Sequence, residues 1–419
     1  MERYILHCDC NSFFASVELL SYPQLRFLPV AVCGSADDRH GIILAKNEAA
    51  KRFQVQTAET IWQAKRKCPT LTLLPPHHDR YRHYSKIIND IYQKYTDRVE
   101  PFGIDESWLD VSGTWHLFAA SPYALAEKLR QEVKAATGLT ISIGVSFNKV
   151  FAKLGSDYKK PDATTVITRE NYTQIVYPLP VGALLYVGKS AQSTLSALGI
   201  TTIGQLAAAD PALVTDALGK LGTQISSYAR GLDDAPVRRC DEATELKSVG
   251  NGTTFKRNLL GAADIRTGVN ALADSVAWRL RKEGLKCTTV QVIIKDASLK
   301  SISRQKPLPF ATYLAKDIAA AAYELICANW DMRSPIRMLT VTGLNLTTGD
   351  CVQQLSLFEA PKQLDKKQEK LEKAMDTIRG KYGRTAIASG SLLKNDIGLG
   401  KIGIKHSEDD EDDTTHSIW

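Results

Sequence analysis

The sequence predicts a multidomain α+β protein, and three observations carry that reading. The chain has 419 residues, more than one ordinary hydrophobic core holds. Residues 1–168 alternate short apolar runs with helical spacings, the pattern of an α+β domain with a mainly antiparallel sheet. From about residue 170 short helices with Gly turns take over, and a polar stretch at 233–246 without periodicity reads as a linker to a second, smaller strand–helix set.

Element by element, YILHCD is a short apolar strand and SFFASVELL after it has helical spacing. LPVAVCG and HGIILAKN read as two more strands, followed by helical NEAAKRF and TIWQAKRKC. HHDRYRHYSKIINDIYQKYTD is a long amphipathic helix with Tyr84, Ile87, Ile88, Ile91 and Tyr95 on its apolar stripe. VEPFGIDESWLDVSG reads as two strands joined by a turn, YALAEKLRQEVKAATG as a helix and LTISIGVSF as a strand. NKVFAKLGSDYKK is a helix stopped by Pro161. LLYVGKSAQSTLSALGITTIGQLA reads as helix, tight Gly turn, helix. Beyond the linker come a strand (KSVGNGTTF), a helix, two strands, a helix and a strand (IRMLTVTGLNL), a second small α/β sandwich. Residues 349–419 are mostly polar, with one helical stretch at 361–379 whose stripe is Leu364, Leu371, Met375 and Ile378.

With 44% hydrophobic and 24% charged residues the composition is that of a soluble globular protein. No run is long and apolar enough to span a membrane, and MERYILHCDC has no secretory h-region, so the expectation is a cytoplasmic protein with no membrane partner. The eight cysteines lack framework spacing, which points to reduced thiols. Net charge is +7 although residues 408–413 are six consecutive acids, so the rest of the chain is more basic still. A basic body suits a polyanionic partner, nucleic acid first, and the acidic end reads as a disordered tail.

HCDC at residues 7–10 looks like a set of soft-metal ligands. A zinc site normally needs four ligands, and no second CxxC or HxxxH follows. In a strand, Cys8 and Cys10 share one face while His7 and Asp9 share the other. The cysteines therefore read as buried core thiols rather than zinc ligands. Asp105 and Glu106 sit side by side at a strand–turn–strand; alone they fit a solvated turn, yet at a turn both can converge on one site. If a neighbouring strand brings them beside Asp9, three carboxylates hold a hard divalent cation well. Two such ions about 3.5–4 Å apart clamp the attacking and leaving oxygens of a phosphoryl transfer, and magnesium suits oxygen ligands.

DCNSFFASVE, GIDESWLDVSG and SIGVSFNKVFAKLGSDYKKPD resemble, in order and spacing, the palm motifs of the Y-family DNA polymerases, low-fidelity enzymes that copy damaged templates. The similarity runs through about residue 345 and is strongest to bacterial, polymerase IV-type members. It implies a right-hand polymerase: palm at 1–18 and 77–168 (antiparallel sheet plus helices), small fingers at 19–76, a helical thumb with a helix-hairpin-helix at 169–232, the linker at 233–246, an α/β little finger at 247–346 and a C-terminal tail at 347–419. It implies a monomer that extends a primer on template DNA with dNTPs, in DNA repair and the SOS response. Asp9, Asp105 and Glu106 are then the catalytic ligands of two magnesium ions, with the Cys10 carbonyl as a further ligand. Phe14 matches the steric gate that clashes with a ribose 2′-hydroxyl; core packing would be its other explanation. Ser12 and the Phe13 backbone reach the triphosphate, and Lys160 neutralises it. Lys51 stands with Glu48 where many relatives have Arg and Tyr, and supplies a point charge without the fork of Arg.

In the thumb motif Gly188 and Lys189 match the hairpin that binds a DNA phosphate, with Tyr186 where a second glycine is usual. Lys256, Arg257, Lys300 and Arg304, with Lys247, Lys295 and Lys306 nearby, fall on or beside strands that could meet phosphates without reading sequence; a solvated charged face explains any one of them as well. QLSLF at 354–358 matches the bacterial sliding-clamp (beta subunit) peptide, with Gln354 polar and Leu355, Leu357 and Phe358 as apolar anchors. Two other classes stay in view. A clamp-recruited DNA-binding accessory without catalysis would not need the carboxylate trio. A nucleotidyl cyclase on a similar palm would leave the thumb, little finger and clamp peptide unexplained.

Overall fold

The structure, a computed structural model, describes residues 2–34, 41–242, 245–348, 366–383, 386–392 and 395–399. The clamp-type peptide at 354–358 and the acidic run at 408–413 lie outside the described residues. The chain divides into two compact units, parted between Ala243 and Thr244.

The first unit is organised by strand β1 (Ile5–Cys10), whose side chains are almost all buried. β1 runs into helix α1 (Phe13–Leu19) through Ser12, which takes a left-handed φ of 49°. A three-stranded sheet follows, with β2 (Val30–Cys33) between β3 (Ile43–Lys46) and β4 (Thr72–Leu74). Helices α2 (Glu48–Lys51) and α3 (Ile61–Lys67) accompany it. Each begins on a side-chain cap, Asn47 for α2 and a Thr60–Gln63 capping box for α3. Helix α4 (His78–Gln93) buries Tyr81, Ile88, Ile91 and Tyr92, close to its expected stripe.

β5 (Val99–Pro101), β6 (Glu106–Asp110), helix α5 (Pro122–Thr137), β7 (Ile141–Ser146), helix α6 (Lys149–Tyr158) and β8 (Thr164–Ile167) complete the main sheet. Its order is β5-β6-β1-β7-β8, antiparallel except for the β7–β8 pair, so β1 is the middle strand. Two glycines let α6 lie unusually close to the sheet. A Cβ on Gly144 of β7 would fall 1.8 Å from the Ala152 carbonyl, and one on Gly155 of α6 would fall 2.9 Å from the Gly144 Cα. Side chains from α6 therefore reach the polar end of β1.

Short helices follow: α7 (Tyr172–Ile175), α8 (Lys189–Ala197), α9 (Ile203–Ala208), α10 (Pro211–Leu218) and α11 (Lys220–Ala229). They share a core built on Phe147, Phe151, Leu195, Ile203, Val214 and Ile225. In the second unit β9 (Ser248–Leu259), helix α12 (Gly261–Lys282), β10 (Leu285–Asp296), β11 (Ser301–Thr312), helix α13 (Ala315–Asn329) and β12 (Ile336–Thr348) give an antiparallel sheet of order β11-β10-β12-β9.

Helix α14 (Lys366–Tyr382) corrects the expected apolar stripe. Leu371 and Ile378 are exposed and Met375 is half-buried, while Glu372 and Arg379 are buried; Leu364 lies outside the described residues. Arg281 of α12 bonds both Glu372 and Asp376, and Arg379 pairs with Asp274. The helix docks through charge. Beyond it Ile397 accepts a backbone bond from Lys256 and, with Leu399, is buried in the core of this unit. No helix among the described residues is long and apolar enough to cross a membrane.

Candidate active site

The β1–β6 ladder sets Asp9 opposite Glu106, and the backbone N–H of Cys10 donates to the Asp105 carbonyl at 2.9 Å. Asp105 precedes β6 at the turn that contains Gly103, whose φ is +119°. Asp9 and Glu106 thus reach one place by cross-strand pairing, and the turn adds Asp105 to the same electrostatic neighbourhood. Burial, then the neighbouring Glu106, raises the Asp105 carboxyl to about 6. Burial also raises Asp9, to about 7, against the opposing pull of Lys160. Glu106 goes the other way: burial pushes it up, but His7 and the Lys153 ammonium outweigh that and hold it at about 2.

Two ammonium groups sit on these carboxylates. Lys160 Nζ lies 2.7 Å from Asp9 Oδ2 and 2.8 Å from Asp157, while Lys153 of α6 bonds Glu106. The loop bearing Lys160 is pinned by Asn11, whose Oδ1 accepts from the Asp162 N–H at 2.8 Å, and by Arg130 on Asp162. Carboxylates that gather cations in this way offer an all-oxygen donor set to a divalent ion. The cysteines offer no thiolate. Cys8 and Cys10 are buried in the sheet core, and burial pushes both thiols up. Free thiols are found at every described cysteine.

His7 and Lys153 are the residues that sequence reasoning missed here. His7 Nε2, Asp9 and Glu106 place ligand atoms within 4.8 Å of one another. Sharing a strand face with Asp9 was the available signal for His7.

Beside the carboxylates lies an aromatic platform. Phe13 is buried in the core, whereas Phe14 is half-buried and stacks on Tyr81, with centroids 4.0 Å apart and planes 11° apart. The Tyr81 hydroxyl donates to Glu18 at 2.5 Å, and Glu18 is itself held by Arg80 and by His77. Ser12 Oγ donates to Glu48 Oε1 at 3.2 Å, and Lys51 pairs with the same oxygen at 2.5 Å. The structure therefore brings Ser12, Glu48 and Lys51 together at the end of β1, with Lys51 engaged by Glu48.

Gly188 is the N-cap of α8, Lys189 its first residue, and Tyr186 adopts φ 69°, the left-handed conformation a glycine would take. In the second unit Lys256, Lys300 and Arg304 are exposed. Arg257 spends its guanidinium on Asp264 and Asp396.

Residues 8–157 match the impB/mucB/samB family model, and residues 246–357 match the model of that family's C-terminal domain. A DNA polymerase IV of Acetivibrio thermocellus is 45% identical over 96% of this chain and 100% of its own length. DNA polymerase IV 1 of Bacillus subtilis is 36% identical over 94% of each chain. Among solved structures, a Y-family DNA polymerase chimera aligns with 82% of this chain and 99% of its own, at a TM-score of 0.71 and 22% identity, which shows a shared multidomain fold. The chain belongs to the bacterial, polymerase IV-like branch of the Y-family of DNA-directed DNA polymerases.

Proposed function

We propose that this protein is a low-fidelity, template-dependent DNA polymerase that copies past damaged bases, adding dNTPs to a primer 3′-hydroxyl. The observation that carries the reading is the cross-strand pairing of Asp9 with Glu106, with Asp105 at the adjoining turn. The main sheet with α4, α5 and α6 (residues 1–18 and 77–168) serves as palm, 19–76 as fingers, 169–232 as thumb and 247–346 as little finger.

Asp9, Asp105, Glu106 and the Cys10 carbonyl would hold two magnesium ions, which suit an oxygen donor set that two lysines neutralise in their absence. When bound, the ions supply activation of the 3′-hydroxyl and stabilisation of the leaving pyrophosphate. The protein's own groups bind and orient. Lys160 moves from Asp9 to the triphosphate, and Ser12 and the Phe13 N–H donate to its oxygens. Lys51 adds charge at the same end of the pocket. Phe14, backed by Tyr81, lies under the sugar and excludes a 2′-hydroxyl. Gly188 and Lys189 grip a backbone phosphate, and Lys256, Arg257, Lys300 and Arg304 add phosphate contacts. Arg257 contributes least, because two carboxylates already answer its charge.

The protein acts as a cytoplasmic monomer in DNA repair and the SOS response, with no membrane partner, and QLSLF (Gln354, Leu355, Leu357, Phe358) recruits it to the beta-subunit sliding clamp. Primer extension on undamaged and lesion-bearing templates, with and without magnesium and clamp, tests the reading. Magnesium-dependent bypass supports it, and deletion of 354–358 should remove only the clamp stimulation. Absence of extension on every template would overturn it.

A further inference from the structure

His7 is fully buried and lies on the strand face of Asp9, two residues away. Its two ring nitrogens meet different elements. Nδ1 is 2.8 Å from Ser156 Oγ on α6, and Nε2 is 3.3 Å from Glu106 Oε2 on β6. Trp108 packs edge-on against the ring at 5.2 Å between centroids. The imidazole thus bridges the helix to the carboxylate cluster.

Glu106 Oε2 is the polar atom that Nε2 faces, at a distance long for a hydrogen bond, and Nε2 has no closer partner among the described residues. A buried nitrogen with no better partner is a net cost to the fold. An apolar side chain would fill the same space without that cost, so the packing alone does not account for a histidine here.

The tautomer follows from Ser156, whose single hydroxyl hydrogen has two acceptors in reach, the Lys153 carbonyl at 2.8 Å and His7 Nδ1. If the hydrogen goes to the Lys153 carbonyl, Nδ1 carries the imidazole proton and Nε2 turns a lone pair toward a carboxylate. If it goes to Nδ1, an Nε2–H faces Glu106 instead. The negative charge of Glu106 selects the second arrangement.

We infer that His7 is a positioning residue: with Ser156 Oγ on Nδ1, it presents Nε2–H to Glu106 Oε2 and so fixes the Glu106 carboxylate for the divalent cation held with Asp9 and Asp105. This rests on the metal reading of those three carboxylates. In the described conformation Lys153 also holds Glu106. A divalent cation that displaces that ammonium leaves His7 as the buried contact restraining the carboxylate. Outer partners of this kind are worth about 10–100-fold in metal affinity.

The test uses the full chain and Mn²⁺ as the probe, counting by electron paramagnetic resonance the ions bound by the unaltered protein and lost in Asp9→Ala. His7→Leu should weaken that Mn²⁺ site about tenfold while leaving the melting temperature unchanged or higher. His7→Gln, whose amide keeps an N–H donor, should recover most of the affinity, and Ser156→Ala should fall between. Mn²⁺ binding in His7→Leu equal to that of the unaltered protein would overturn the inference, as would a His7→Gln variant as weak as His7→Leu. If the unaltered protein holds no Asp9-dependent Mn²⁺, the metal reading itself fails, an outcome distinct from the failure of His7 alone.

Discussion

Glu106 stands directly across the β1–β6 ladder from Asp9, and a separate lysine holds each carboxylate, Lys153 on Glu106 and Lys160 on Asp9. The two acids are close enough to need counter-charge, and the chain supplies it from α6 and the loop after it. A divalent ion bound to these carboxylates would have to displace ammonium groups already in place.

Lys160 has two successive partners in this account, Asp9 and then the triphosphate. Lys160→Gln should leave divalent metal affinity equal or tighter, because a competitor for Asp9 is gone. It should raise the KM for dNTP by about tenfold or more, the worth of one charge-assisted contact. Steady-state kinetics with a metal titration separates the two effects.

The raised Asp9 carboxyl gives a signed pH dependence. Between its ordinary value of 3.8 and about 7 the folded chain binds a proton that the unfolded chain has released. The Asp9 contribution to stability therefore falls as pH rises through that window. Without divalent metal, Asp9→Asn should gain melting temperature relative to the unaltered protein between pH 5 and pH 8, by a few degrees. Added Mg²⁺ should stabilise only the unaltered protein, most at the higher pH, where the carboxylate is ionised.

Phe14 is held flat by Tyr81, which Glu18 anchors from below. Phe14→Ala should admit ribonucleotides, lowering sugar discrimination by on the order of a hundredfold. Tyr81→Leu should lower it less, by loosening the platform while keeping the ring. Single-nucleotide incorporation with paired dNTP and rNTP measures both.

Arg281 is 5% exposed and faces Glu372 and Asp376 of α14. Arg281→Ala removes the ion-pair partner of Glu372 and Asp376 and should destabilise the second unit by about 3–5 kcal/mol. Denaturant melts of the full chain would show this as an earlier transition.

Much of this was legible in the sequence, for identifiable reasons. The strand alternation of YILHCD put Asp9 and His7 on one face and the cysteines on the other, and β1 follows it. The turn between VEP and ESWLD brought Asp105 to the end of the sheet, as a strand–turn–strand can. Lys153 stayed hidden because its role depends on how near α6 lies to the sheet, which Gly144 and Gly155 decide in three dimensions. His7 stayed unassigned because sharing a strand face with Asp9 does not say which group on the neighbouring strand and helix its ring meets. The α14 stripe misled for a different reason: periodicity identifies a helix but not its buried face, and here paired charges take the inside in place of Leu371 and Ile378. Tyr186 shows the converse, a residue that departs from the hairpin pattern while its backbone keeps the glycine conformation.

The central claim is that three carboxylates on β1 and the β6 turn carry the chemistry. Primer extension by Asp105→Ala at saturating Mg²⁺, on a duplex the unaltered enzyme extends, tests it most directly. Extension should fall by at least about a thousandfold with DNA binding retained. Extension at a rate near that of the unaltered protein would contradict it.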